Sequence, residues 1–162
     1  PSRAHTLEPG APPRAWRGGY FVFETIYSQI GAAVTLLVVG FAFLKGDEPE
    51  RVGGAAFVLV ALANALTADS SGGLSQWGWL ALDIVLFAVL IGLALYSRRA
   101  WPVWAAGFQA LIVTGHVLMI ANLRPPTDAF PAVINLSNYG LHAALAVGTF
   151  WAWQERRVAG KL

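Results

Sequence analysis

Cysteine is absent from the 162 residues, which excludes disulfides, thiolate metal sites and iron–sulfur ligation by this chain. Charge is scarce as well: 12% of residues are Asp, Glu, Lys or Arg, while 56% are hydrophobic and the mean hydropathy is +0.55. A soluble helical domain needs a charged surface, and five helices in so short a chain cannot all be central. No HExxH, nucleophile elbow, P-loop or GxGxxG in a strand–helix context occurs, so no catalytic residue is assigned. No repeat of about 20 to 50 residues is visible. No connection is long enough to fold as a soluble domain.

What is present is five apolar segments, at residues 20–44, 52–68, 76–97, 100–122 and 130–153. About 20 mostly apolar residues cross a bilayer, and about 17 suffice at the short end. The expected fold is therefore all-α, an integral membrane bundle of five transmembrane helices with short loops. A tail at 1–19 precedes the transmembrane domain at 20–155, and a second tail at 156–162 follows it. The first tail is polar and Pro-rich, which does not fit a removable signal peptide. The chain begins with Pro1 and not Met, so a few preceding residues are expected.

Lys and Arg set the orientation. Arg3, Arg14, Arg17 and Arg124 fall on the side of the N-terminus; Lys45, Arg51, Arg98, Arg99, Arg156, Arg157 and Lys161 fall on the other. Seven against four of the 11 basic residues places the C-terminus in the cytoplasm and the N-terminus in the periplasm of a bacterial inner membrane. Basic residues at span ends also account for the net charge of +2 without nucleic-acid binding. Trp77 and Trp79 at one level, and Trp101, Trp104, Trp151 and Trp153 at the other, read as headgroup anchors.

Threading the segments in alternating directions puts Glu24, Gln29, Asn64, Asp83, His116, Asn135 and Asn138 in the outer half of the bilayer. At 1.5 Å per residue, Asp83 and His116 come to roughly 11 and 9 Å below the boundary, so they are expected to pair. An Asp–His pair offsets the desolvation of each group in lipid. Gln109 shares a face with His116, as Asn135 and Asn138 do with His142, while Glu24, Ser28, Gly31 and Thr35 form a stripe on the first segment. Gln109, Asn138 and His142 are expected to lie deeper, beyond reach of the Asp83–His116 pair.

Two roles for this polar layer stay open. One is hydrogen-bonded packing between helices, worth well under 2 kcal/mol each. The other is a pocket for a small ligand, ion or partner subunit. His142 and His116 suggest haem or bacteriochlorophyll, since a neutral imidazole is an axial ligand, and a lipid or quinone is a further candidate. Their unequal depths argue against a bis-histidine haem. No metal-ligand set is assigned. An enzyme would have to recruit Ser28 or Ser137 to Asp83 and His116, which nothing in the spacing supports.

Glu48-Pro49-Glu50-Arg51 with the Gly/Ala-rich segment after it, and Leu82-Asp83 leading through Arg98-Arg99-Ala100-Trp101-Pro102-Val103-Trp104 to Gln109 and Gly115-His116, resemble small uncharacterised polytopic inner-membrane proteins of alphaproteobacteria. The likeness runs from about Ile30 onward. It implies fold and location only. With no internal repeats of a transporter and no extramembrane domain, the expectation is a non-enzymatic accessory or interaction subunit of a larger membrane complex, its partners other subunits or copies of itself.

Overall fold

The computed structural model describes the backbone of residues 16–68, 76–123 and 129–160, and the side chains of 29–63, 77–123 and 132–160. Among the described residues the fold is all-α: α1 (Trp16–Lys45), α2 (Glu48–Ala68), α3 (Gln76–Tyr96), α4 (Trp101–Ile120) and α5 (Ala129–Val158), with no strand. Two compact units divide the chain within α1. The first, Pro1–Ala33, contributes one helical segment; the second, Val34–Leu162, holds the rest of α1 and α2 to α5.

Turn chemistry explains where the helices of the second unit stop. Gly46 accepts no other residue, because a Cβ there would lie 2.4 Å from the Ala42 carbonyl oxygen and 2.6 Å from the Glu50 Cβ. Asp47 follows as N-cap of α2, and its N–H donates to Glu50 Oε2 at 2.9 Å, one half of a capping box. The α3–α4 turn contains Arg98 in the left-handed region at φ 52°. That conformation costs an L-residue about 1–3 kcal/mol. Pro102 sits in the first turn of α4, where its missing N–H is harmless. Asn122 ends α4 at φ 55°, a conformation Asn tolerates.

The second unit's core is Val39, Ala42, Phe57, Leu86, Leu90, Trp101, Ala105, Ala106, Ile112, Leu141 and Leu145. Helix α4 packs on α3 and α5, and α2 also touches α3 and α5. Trp101 is 2% exposed and is not the headgroup anchor its position suggests. Its ring lies between the backbones of α2 and α5: a Cβ on Gly53 or Gly148 would come within 2.5 or 2.3 Å of it. The two glycines are what admit the largest side chain at the bundle centre. Trp77, Trp104 and Trp151 are exposed as anchors would be.

Two helices, over Trp77–Tyr96 and Trp101–Ile120, are by themselves long and apolar enough to cross a membrane; Gln29–Lys45 is a shorter apolar stretch. The remaining two helices carry polar residues as well as apolar ones. Helix α2 opens on Glu48, Glu50 and Arg51, and α5 carries Asn135, Asn138 and His142 before its charged end. Only 11% of the α3 span and 28% of the α4 span is buried inside the bundle, whereas a soluble core helix would be mostly covered. Large apolar side chains face outward on every helix, among them Leu36, Leu59, Val85, Leu111 and Leu136.

The fit of Trp101 predicts that Gly148→Ala lowers stability by about 1–3 kcal/mol through overpacking. Gly107→Ala, whose Cβ meets nothing within 4 Å, should be neutral or slightly stabilising. Thermal unfolding in detergent compares them; equal midpoints would show that the ring can move aside.

Candidate functional site

Asp83 lies on α3 with its carboxylate turned to α4. Gln109 Nε2 donates to Asp83 Oδ1 at 2.8 Å and approaches the Asp83 carbonyl oxygen at 3.2 Å. His116 Nδ1 stands 2.7 Å from Oδ2. The expected Asp83–His116 pair is therefore present. Gln109, expected to lie beyond its reach, is its third member. Residues 109 and 116 are separated by about 10.5 Å of helix rise, and the carboxylate sits between their levels, so each needs only its own side-chain length. Gln109 is 1% exposed, and the Asp83 and His116 side chains are 13% and 22% exposed.

The His116 contact is close without being well directed. Nδ1 is shielded from solvent and makes no hydrogen bond of acceptable angle, so its 2.7 Å approach to Oδ2 is an ion-pair contact off the N–H axis. Among the described residues no three His, Asp or Glu side chains gather as a metal site.

His142 on α5 belongs to a separate contact. Its Nδ1 lies 2.7 Å from the Asn138 carbonyl oxygen, which can only accept, so Nδ1 carries the proton. In the neutral ring Nε2 then accepts from the Thr35 hydroxyl on α1 at 2.9 Å. The Phe57 ring packs beside it at 5.3 Å between centroids. Both ring nitrogens are engaged, so axial ligation of a porphyrin-type pigment would displace Thr35. His116 and His142 have different partners on different helices.

Among the described residues, the remaining polar side chains do not converge on one pocket. Asn135 and Asn138 are exposed on α5, the latter donating its Nδ2 to the Ile134 carbonyl at 3.1 Å. Gln29 is exposed in the first unit. The side chains of Glu24 and Asn64, and the loops at 69–75 and 124–128, lie outside the described residues.

A second cluster escaped the sequence reading. Glu50, fully buried, accepts from Asp47 N–H through Oε2 and from the Trp101 indole through Oε1 at 2.8 Å. Asp47 pairs with Arg99 at 2.8 Å and with Arg156, and Arg99 also reaches Glu155 at 2.6 Å. Arg156 further caps the Lys45 and Gly46 carbonyls at the end of α1. Burial would lower the Arg99 pKa, but the Glu155 hydrogen bond and the charges of Glu155, Glu50 and Asp47 outweigh it and raise the value. The turn residues carry charges of both signs, a pattern that weighing cations alone for topology does not use.

Comparison with protein families, curated proteins and solved structures finds no match for this chain.

The Asp83 cluster predicts strong coupling. Gln109→Leu leaves a carboxylate oxygen without its directed donor and should cost about 1–3 kcal/mol. In Asp83→Leu, replacing Gln109 should cost much less. A double-mutant cycle by thermal unfolding in detergent checks this; strictly additive effects would mean the contact carries no energy.

Proposed function

We propose that the chain is a five-span protein of a bacterial inner membrane, N-terminus periplasmic and C-terminus cytoplasmic, acting as a non-enzymatic accessory subunit of a larger membrane complex. Apolar side chains facing outward on all five helices support insertion, since soluble monomers rarely expose large contiguous apolar patches. Opposite-sign clusters tie together the α1–α2 turn, the α3–α4 turn and the end of α5, so successive helices run in opposite directions. The basic excess at that end supports its cytoplasmic placement.

The observation that carries the accessory role is the exposed pair Asn135 and Asn138. They share the α5 surface with exposed Val133, Leu136 and Tyr139. Amides on a lipid-facing surface are costly, and a polar group on a neighbouring helix relieves them. Asp83, Gln109 and His142, by contrast, are hydrogen-bonded within the bundle. A second reading, binding of a small ion or ligand, rests on the sheltered Asp83 carboxylate and on His116 Nδ1, which lacks a well-directed partner.

Because the chain has no cysteine, single-cysteine variants at Ser71 and Ser97 test topology directly. An impermeant thiol reagent should label Ser71→Cys from the periplasm and leave Ser97→Cys unreacted; the reverse pattern overturns the orientation. For the accessory role, the protein purified from native membranes should carry a stoichiometric membrane partner. Asn135→Leu with Asn138→Leu should release that partner while the unfolding temperature holds. Isolation of the chain alone, or retention of the partner by the double variant, counts against it.

A further inference from the structure

Phe150, Trp153 and Arg157 share one face of α5 at its C-terminal end. Their spacing of three and then four residues sets them one above another, running from the apolar part of the helix toward its charged end. The Phe150 and Trp153 rings meet edge to face with centroids 6.0 Å apart. The Arg157 guanidinium lies over the Trp153 ring at 4.2 Å, and Lys45 Nζ, from the last residue of α1, approaches the same ring at 5.9 Å. The negative face of the indole draws both cations to the seam between α1 and α5.

Neither cation has an acid to neutralise it. Lys45 and Arg157 are both exposed, and among the described residues neither forms an ion pair. The acids at this end are already committed: Asp47 gives one oxygen to Arg156 and the other to Arg99, Arg99 also holds Glu155, and Glu50 is buried against Trp101. Two like charges gathered on one ring repel each other, and the ring attracts each of them without removing that repulsion. Attraction to a ring face also leaves most of their N–H donors unspent. An anion placed between them would take up both the charge and the donors.

From these observations, and resting on the membrane reading above, we propose that the α1–α5 seam at this end binds an anionic phospholipid. Lys45 and Arg157 donate to its phosphate oxygens beside Trp153, and one acyl chain descends past Phe150. The order of chemistry along the seam selects this occupant. Exposed Phe150 and, two turns before Lys45 on α1, exposed Leu37 lie on the apolar side, the indole comes next, and the cations lie outermost. That is the order of a lipid from tail to head, with the indole at the headgroup level it favours. A free phosphate would engage the cations alone. A second copy in the same orientation would bring four cations together, whereas a phospholipid neutralises two.

The full chain in detergent micelles is offered equal amounts of phosphatidylglycerol and phosphatidylcholine with the same acyl chains, and native mass spectrometry counts the lipid each molecule retains. Phosphatidylglycerol should be preferred by about fivefold for each contributing cation. Lys45→Gln with Arg157→Gln should remove the preference, whereas Lys45→Arg with Arg157→Lys, which keeps both charges, should preserve most of it. Trp153→Leu should lower it, because nothing then gathers the two cations. Arg98→Gln controls for net charge. Arg98 is exposed and adjoins Arg99, whose partner Glu155 lies about half a turn round α5 from Trp153, so this variant should leave the preference unchanged. Excess soluble glycerol phosphate should not displace the lipid; displacement would overturn the lipid as occupant in favour of phosphate alone. Equal retention of both lipids, as expected if an acidic protein segment covers the seam, overturns the site and leaves the membrane reading intact, as does a preference that survives the Gln pair. A chain that stays in solution without detergent overturns both.

Discussion

The carboxylate of Glu50 is the point on which the second unit is hung. It is buried at 0% exposure, and its two oxygens accept from the Asp47 amide and the Trp101 indole. Hydrogen bonds to a charged group are worth about 1.5–3 kcal/mol, but leaving such a group buried without its donors costs more than the bonds return. Trp101 is therefore not free to swing outward. Held inward, its ring needs Gly53 on α2 and Gly148 on α5 to be bare of side chain. One side-chain hydrogen bond thus dictates how closely three helices approach.

The same constraint sets the rotation of α4. With Trp101 fixed, Trp104 and Phe108 follow on nearly the same side, toward α5. Gln109 and His116 come about a quarter-turn away, toward α3. Helix α4 consequently presents an apolar aromatic edge to one neighbour and a hydrogen-bonding edge to the other. In a bilayer, as proposed, lipid would supply no hydrophobic drive for helices to associate, and close backbone packing and interhelical bonds would have to do it. The first is visible at the glycines, the second at Asp83.

Much of the helical architecture was legible in the sequence because long apolar runs separated by turn residues are written in composition. The number of helices follows from those runs, and the approach of Asp83 to His116 from their similar distance along adjacent helices. Gln109 was misplaced because depth was counted at Cα atoms, whereas a carboxylate midway between two levels can serve both. Trp101 was misread for a related reason: a tryptophan near a span end is ordinarily an anchor, and only a carboxylate beneath it turns it inward. Glu50 could have suggested this, since a lone acid three residues past an N-cap position has a backbone N–H to reach but a second oxygen to satisfy. The proposed roles of Asn135 and Asn138 have no such local signature, because exposure on a helix is decided by neighbours.

Helix α5 is where these lines of argument meet. Its inner face, Leu141, Leu145 and Ala152, is ordinary core. Flanking that core, on one side, Gly140, Ala144 and Gly148 accommodate the α4 aromatics and leave an apolar groove. On the other, Asn135, Asn138 and His142 carry amides and an imidazole, of which only His142 is committed to Thr35. A helix surrounded by lipid would have no reason to differ between its flanks. The asymmetry agrees with the proposed accessory role, in which α5 would face lipid along its small residues and a partner helix along its asparagines. Asn138 satisfies part of its own amide by bonding back to Ile134, an internal bond that, on the proposed reading, the helix would exchange for one to a partner.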